Sequence, residues 1–185
     1  MLPDLQKRFD GIERQRAALG GSALALDAAQ LNWSPDADTW SVRQIVEHLV
    51  LSDETVGRAK DAGVVESEER MFRILPRASR RALVLSAFRR DTVLPLPSPA
   101  VEPRGDVPLP GLLARWEGIR TEMRLALDPL RGDEPRYSHP VLGPLTAGQM
   151  LELGRAHTAY HARQIEKLRR DPAFPHHSPA TKETL

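Results

Sequence analysis

The stretch TAGQMLELGRAHTAYHARQIEKLRR, Thr146–Arg170, decides the fold. Thr146 has the side chain of a helix N-cap, and the residues behind it read as one long helix ending near Arg170. His157 and His161 are four residues apart on it, so they project from one face about a turn from each other. Working backwards, a loop with His139-Pro140 and Gly143-Pro144 precedes this helix. Before the loop, Leu113, Trp116, Ile119, Met123 and Leu127 mark one face of a helix over 112–127. Prolines at 95, 97, 99, 103, 108 and 110 exclude regular helix or central strand across 94–110 and imply an extended connection. Ser41 caps a helix whose core stripe is Val42, Ile45, Leu49 and Val56, with Gln44 completing a capping box. The first helix runs from Leu2 to about Leu19 through Leu5, Phe9 and Ile12, with Gly20-Gly21 as its stop. A shorter helical piece is expected over Glu66–Asp91, interrupted near Pro76. No segment alternates long enough for a convincing strand. The fold expected is all-α: a four-helix bundle with a long Pro-rich crossover connection between helices two and three. Residues 1–170 form the bundle domain, and 171–185, with Pro172, Pro175, Pro179 and His176-His177, a loosely ordered C-terminal tail.

Composition narrows the function. With 41% hydrophobic and 28% charged residues the chain is globular, not disordered. Lys+Arg number 26 against 25 Asp+Glu, and a net charge of +1 argues against a nucleic-acid binder. The absence of cysteine rules out disulfides, thiolate metal sites and a cysteine nucleophile. The charged N-terminus lacks an apolar core for a signal peptide, and no apolar run approaches the roughly 18 residues of a membrane span. A cytoplasmic protein with no membrane partner is expected.

The histidines carry the chemistry. His48 sits among inward-facing residues of helix two, on a face that a bundle can bring opposite His157 and His161. Three neutral imidazoles meeting at a point would make an open, catalytic-type metal site with positions left for water or substrate. The spacing alone is weak, since the Glu of HExxH is missing. Buried histidines satisfied by hydrogen bonds are the alternative.

Three stretches together resemble a known family. WSVRQIVEHL (Trp40–Leu49), HPVLGPLTAGQML (His139–Leu151) and HTAYHARQIEKL (His157–Leu168) are similar to the motifs of the DinB/YfiT-like metalloenzymes. Their order, their helical placement and the interval of about 110 residues between the first two histidines all match. The resemblance spans nearly the whole chain and is weakest over 60–110. It implies a four-helix bundle holding a divalent metal ion, zinc or nickel, on His48, His157 and His161. It further implies a metal-dependent thiol S-transferase, using a low-molecular-weight thiol cosubstrate such as bacillithiol or mycothiol, or a hydrolase. The substrate is a small molecule, and related bundles often pair, so a homodimer is in keeping. A non-enzymatic metal- or ligand-binding bundle acting as a structural or interaction protein is the competing reading.

Other residues have two readings each. Gln44 and Gln164, a turn from His48 and His161, either brace a ligand or serve as cap and surface. Tyr160 is core or rim, with acid–base chemistry beside the metal as the sharper alternative. Trp33 and Trp40 seal the bundle end or line a substrate mouth, and His139 shapes its turn. Arg70–Arg90 holds seven arginines and no acid, a solvated face or a site for a carboxylate or phosphate.

Overall fold

The computed structural model describes residues 1–58, 76–96, 98–132, 135–139 and 141–175, with backbone alone at Arg58, Arg77 and Arg136. The described chain is mostly helical, with one small two-stranded sheet. Helix α1 spans Pro3–Leu24, with proline in its first turn where no N–H is needed. A single-turn helix α2, Ala28–Asn32, follows; Asp27 and Gln30 close its capping box. Helix α3 covers Val42–Arg58 and α4 covers Arg77–Arg89. After a 3-10 turn at Pro99–Val101 comes α5, Leu109–Leu127. Strands β1 (Pro135–His139) and β2 (Gly143–Thr146) pair antiparallel, and α6 runs Ala147–Arg169. Among the described residues no helix is long and apolar enough to cross a membrane.

The apolar spacing placed the long helices, and the buried stripe of α1 contains the expected Leu5, Phe9, Ile12 and Leu19. Three expectations need correction. Gly20-Gly21 does not stop α1, because Gly20 sits where a Cβ would lie 3.3 Å from Leu113 of α5. Close packing there offsets the roughly 1 kcal/mol that glycine costs inside a helix. Helix α5 starts at Leu109 rather than 112, since Pro110 is tolerated in its first turn. The strand pair was not expected: five and four residues are too few for a periodic signal, and Tyr137 pairing with Leu145 forms most of its buried side. Phe174 is buried edge-on against Trp33, and Gln30 donates to the Pro175 carbonyl at 2.8 Å. Residues 171–175 thus pack against the start of the chain. The rest of the expected tail, and the helical piece over 66–75, lie outside the described residues.

Two apolar clusters hold the helices together. One gathers Leu5, Phe9 and Ile12 of α1 with Leu85 of α4, Leu127 of α5, Leu142 and Leu145 of the hairpin, and Leu151 and Leu153 of α6. The other gathers Leu19 and Ala23 with Ile45, Val46 and Leu49 of α3, Leu112 and Trp116 of α5, and Ile165 and Leu168 of α6. Helix α1 lies chiefly on α6, and α3 on α5.

Two leucines of α5 check this packing. Leu112 is fully buried and Leu125 is 69% exposed. Leu112→Ala should lower unfolding free energy by about 2–5 kcal/mol and Leu125→Ala by less than about 0.5 kcal/mol, read from urea denaturation.

Candidate metal centre

Each histidine of the cluster is presented by a helix with a well-made start. The Ser41 hydroxyl accepts from the Gln44 N–H and the Gln44 side-chain oxygen from the Ser41 N–H, fixing the first turn of α3 one turn before His48. Thr146 and Gln149 do the same for α6. The bond that defines this end of α3 comes from the Pro-rich segment: His48 Nδ1 lies 2.7 Å from the Val101 carbonyl oxygen. A carbonyl only accepts, so Nδ1 carries the proton and Nε2 keeps its lone pair. The neighbouring Glu47, also buried, accepts from the Gly105 N–H at 2.6 Å, where φ is +73°. Two adjacent residues of α3 thus clamp the connection.

On α6, His161 Nδ1 lies 2.7 Å from Gln164 Oε1, whose own amide donates to the Tyr160 hydroxyl at 2.8 Å. His161 is thereby set in the same tautomer as His48. The Nε2 atoms now converge: His157 lies 2.9 Å from His161 and 3.2 Å from His48. One ligand atom from each of the three falls within 4.8 Å of the others. At least two of these nitrogens are unprotonated, so lone pairs face one another around a shared point. Only a proton or a cation there makes the arrangement electrostatically favourable, and three imidazoles are a good donor set for a divalent transition metal. Among the described residues no further His, Asp or Glu joins the group.

Aromatic rings wall the cluster. Trp40 lies 4.7 Å from the His48 ring and stacks on His161 at 6.3 Å, and Phe88 of α4 lies 5.1 Å from His157. The cluster opens on a cavity of about 770 Å³ whose wall is largely apolar. Burial pushes the His161 pKa down to about 3 and His157 well below the usual range, where the other imidazoles add to the effect. Burial also lowers His48, against the opposing pull of its bond to Val101. Tyr160 is raised, by burial first and then by Asp91, so its hydroxyl keeps its proton.

The residues expected at the site divide accordingly. His48, His157 and His161 are brought together, and Gln164 and Tyr160 stand behind His161. Gln44 is occupied by its capping box. His139 accepts from the Val141 and Leu142 N–H groups at 3.1 and 3.2 Å, shaping its turn as expected while also bordering the cavity. Trp40 borders the cavity and Trp33 packs on Phe174. Of the seven arginines, Arg70 and Arg73 lie outside the described residues, and Arg89 and Arg90 are exposed. Sequence reasoning missed Val101, Phe88 and Glu47. A backbone carbonyl has no residue signature, and Phe88 lies in a piece with no recognisable motif.

The lowered histidines make stability pH-dependent. An unfolded histidine titrates near 6.5, so between that value and the folded pKa the unfolded chain binds protons that the folded chain does not. Metal-free protein should therefore show a level urea midpoint above about pH 7 and a falling one from about pH 6.5 towards pH 4, because folded His139 titrates only at about 4 and folded His161 at about 3. A midpoint that stayed level across that range would contradict the buried, neutral cluster.

The DinB superfamily model matches residues 12–165. The chain is also 26% identical over 152 residues to the uncharacterized protein YuaE of Bacillus subtilis (strain 168), covering 78% of this chain and 86% of that protein. No solved structure matches. With three ligand-ready histidines inside the matched region, the chain belongs to the DinB superfamily.

Proposed function

We propose that this protein is a metal-dependent enzyme in which His48, His157 and His161 hold one divalent ion, zinc or nickel. The observation that carries this reading is the convergence of three Nε2 atoms, with the outer nitrogens of His48 and His161 already bonded. Three ligands leave coordination positions open beside a cavity of about 770 Å³, the pattern of a catalytic rather than a structural site. When bound, the ion would lower the pKa of a small thiol or of water and so supply the nucleophile for S-transfer or hydrolysis. The protein's own groups do the rest. Val101 and Gln164 hold the imidazoles in register, Trp40 and Phe88 keep water from their faces, and Tyr160 offers a protonated hydroxyl in the cavity wall.

The four long helices α1, α3, α5 and α6 are read as the bundle expected for the family, with the extended chain before α5 as its crossover. The packing of α1 on α6 and of α3 on α5 supports this.

Metal analysis of protein purified without a polyhistidine tag should find about one ion per chain. A His157→Ala/His161→Ala double variant should lose it while remaining helical, because the apolar clusters lie to either side of the site. Gln164→Leu removes the acceptor that sets the His161 tautomer and should weaken metal affinity about 10- to 100-fold. Turnover assays then separate the chemistries: consumption of a small thiol with an electrophile assigns the transferase, and ester or amide cleavage without thiol assigns the hydrolase. Full metal occupancy in the double variant would refute the site, and a metal-loaded protein inert in both assays would refute the enzyme.

A further inference from the structure

The cavity beside the histidine cluster has one more imidazole in its wall, that of His139 at the end of β1. Strand β1 packs against both α3 and α6, the helices that carry the cluster. His139 and His157 also sense each other's charge. Within its own turn, His139 Nδ1 accepts from the Val141 N–H at 3.1 Å and from the Leu142 N–H at 3.2 Å. Both bonds need a lone pair at Nδ1, and a proton there would face two donors. The ring is therefore neutral, with its proton on Nε2. Burial works in the same direction, lowering the His139 pKa to about 4.

Among the described residues nothing accepts from that Nε2–H. Nor is it shut away: the described side-chain atoms that are both sealed and unpaired belong to Gln15, Arg43 and Arg120, not to His139. The turn fixes one edge of the ring, and the open donor lies on the opposite edge of a side chain that borders the cavity. Closing the turn needs an acceptor alone, which Asn or Asp would also supply. The imidazole adds a rigid donor held in one tautomer.

The surroundings say what this donor takes. Val84, Val141, Leu145, Met150 and Leu153 border the same space. A carboxylate or phosphate brought there would exchange its hydration for one uncharged donor, a costly trade. A carbonyl oxygen is satisfied by a single hydrogen bond, while the rest of the molecule meets apolar wall.

We propose that His139 Nε2–H is the donor that holds a carbonyl oxygen of an uncharged, largely apolar substrate in this cavity. The proposal deepens the reading above and rests on the cavity being the substrate site, not on the metal. It narrows the electrophile to a carbonyl compound. As a nucleophile bonds to the carbonyl carbon, the π electron pair moves onto the oxygen, where a donor already in place stabilises the charge. The proton stays on His139.

Displacement of the fluorescent apolar probe N-phenyl-1-naphthylamine from the untagged full chain in EDTA tests it. Acetophenone and isopropylbenzene share a ring and an outline and differ in the carbonyl oxygen; benzoate puts an anion in its place. His139→Asn keeps an oxygen where Nδ1 accepts from the turn and has no donor at the Nε2 position. In that variant the affinity ratio of acetophenone to isopropylbenzene should fall about three- to tenfold. In the unaltered chain acetophenone should bind more tightly than benzoate. Long-range proton–nitrogen NMR of the unaltered chain, which does not depend on how the variant folds, should find the His139 proton on Nε2 and that resonance moved by acetophenone. Four results would overturn the proposal: no displacement by acetophenone, benzoate binding more tightly, the proton on Nδ1, or a ratio unchanged in a variant that circular dichroism shows to be folded. Metal stoichiometry, read separately on the untreated chain, shows whether the histidine site stands or falls independently.

Discussion

His48 and His157 are 109 residues apart in the chain and 3.2 Å apart at Nε2, and much of the structure serves to hold that distance. Unprotonated imidazole nitrogens facing one another repel, so the approach has to be held by the scaffold around it. The two apolar clusters do this from opposite sides. On α6, Leu151 and Leu153 belong to one cluster and Ile165 and Leu168 to the other, and His157 and His161 fall in the gap between them. The polar cluster occupies a break in the apolar core, where it can be rigid and still reach a cavity.

Orientation needs more than position. An imidazole can turn about its Cβ–Cγ bond and can carry its proton on either nitrogen, and an outer hydrogen bond removes both freedoms. For His161 that bond comes from its own helix, through Gln164, with Tyr160 behind it. For His48 it comes from Val101, in a segment dense with proline. Proline restricts φ, so such a segment reaches its bound geometry with less loss of conformational entropy than an ordinary loop. The Glu47–Gly105 bond anchors the same segment four residues further on.

The cavity beside the cluster combines an apolar wall with polar groups at separate places. In such surroundings charges are poorly screened, and a hydrogen bond or a bound ion acts more strongly than in water. The same setting depresses the histidine pKa values, which keeps the three imidazoles neutral at neutral pH. Site geometry and stability are thus coupled: the burial that keeps the clustered imidazoles neutral also makes the fold sensitive to acid.

Much of this was legible in the residues. The 3.6-residue periodicity located the long helices. Ser41 with Gln44 and Thr146 marked where two of them begin, because capping depends on neighbours in sequence. His157 and His161 had to share a face, since four residues make about one turn. Whether His48 met them, and which groups oriented the ring nitrogens, depended on packing between segments some fifty and a hundred residues apart. Val101 acts through a carbonyl that every residue carries, Phe88 through a position set by tertiary packing, and Gly20 continues its helix because Leu113 packs close against it. Arg120 reads in sequence as one more arginine of an arginine-rich chain; burial beside Glu13, Asp53 and Phe9 is what sets it apart. Local chemistry is written in local sequence, whereas the meeting of ligands, carbonyls and charges is decided by long-range packing.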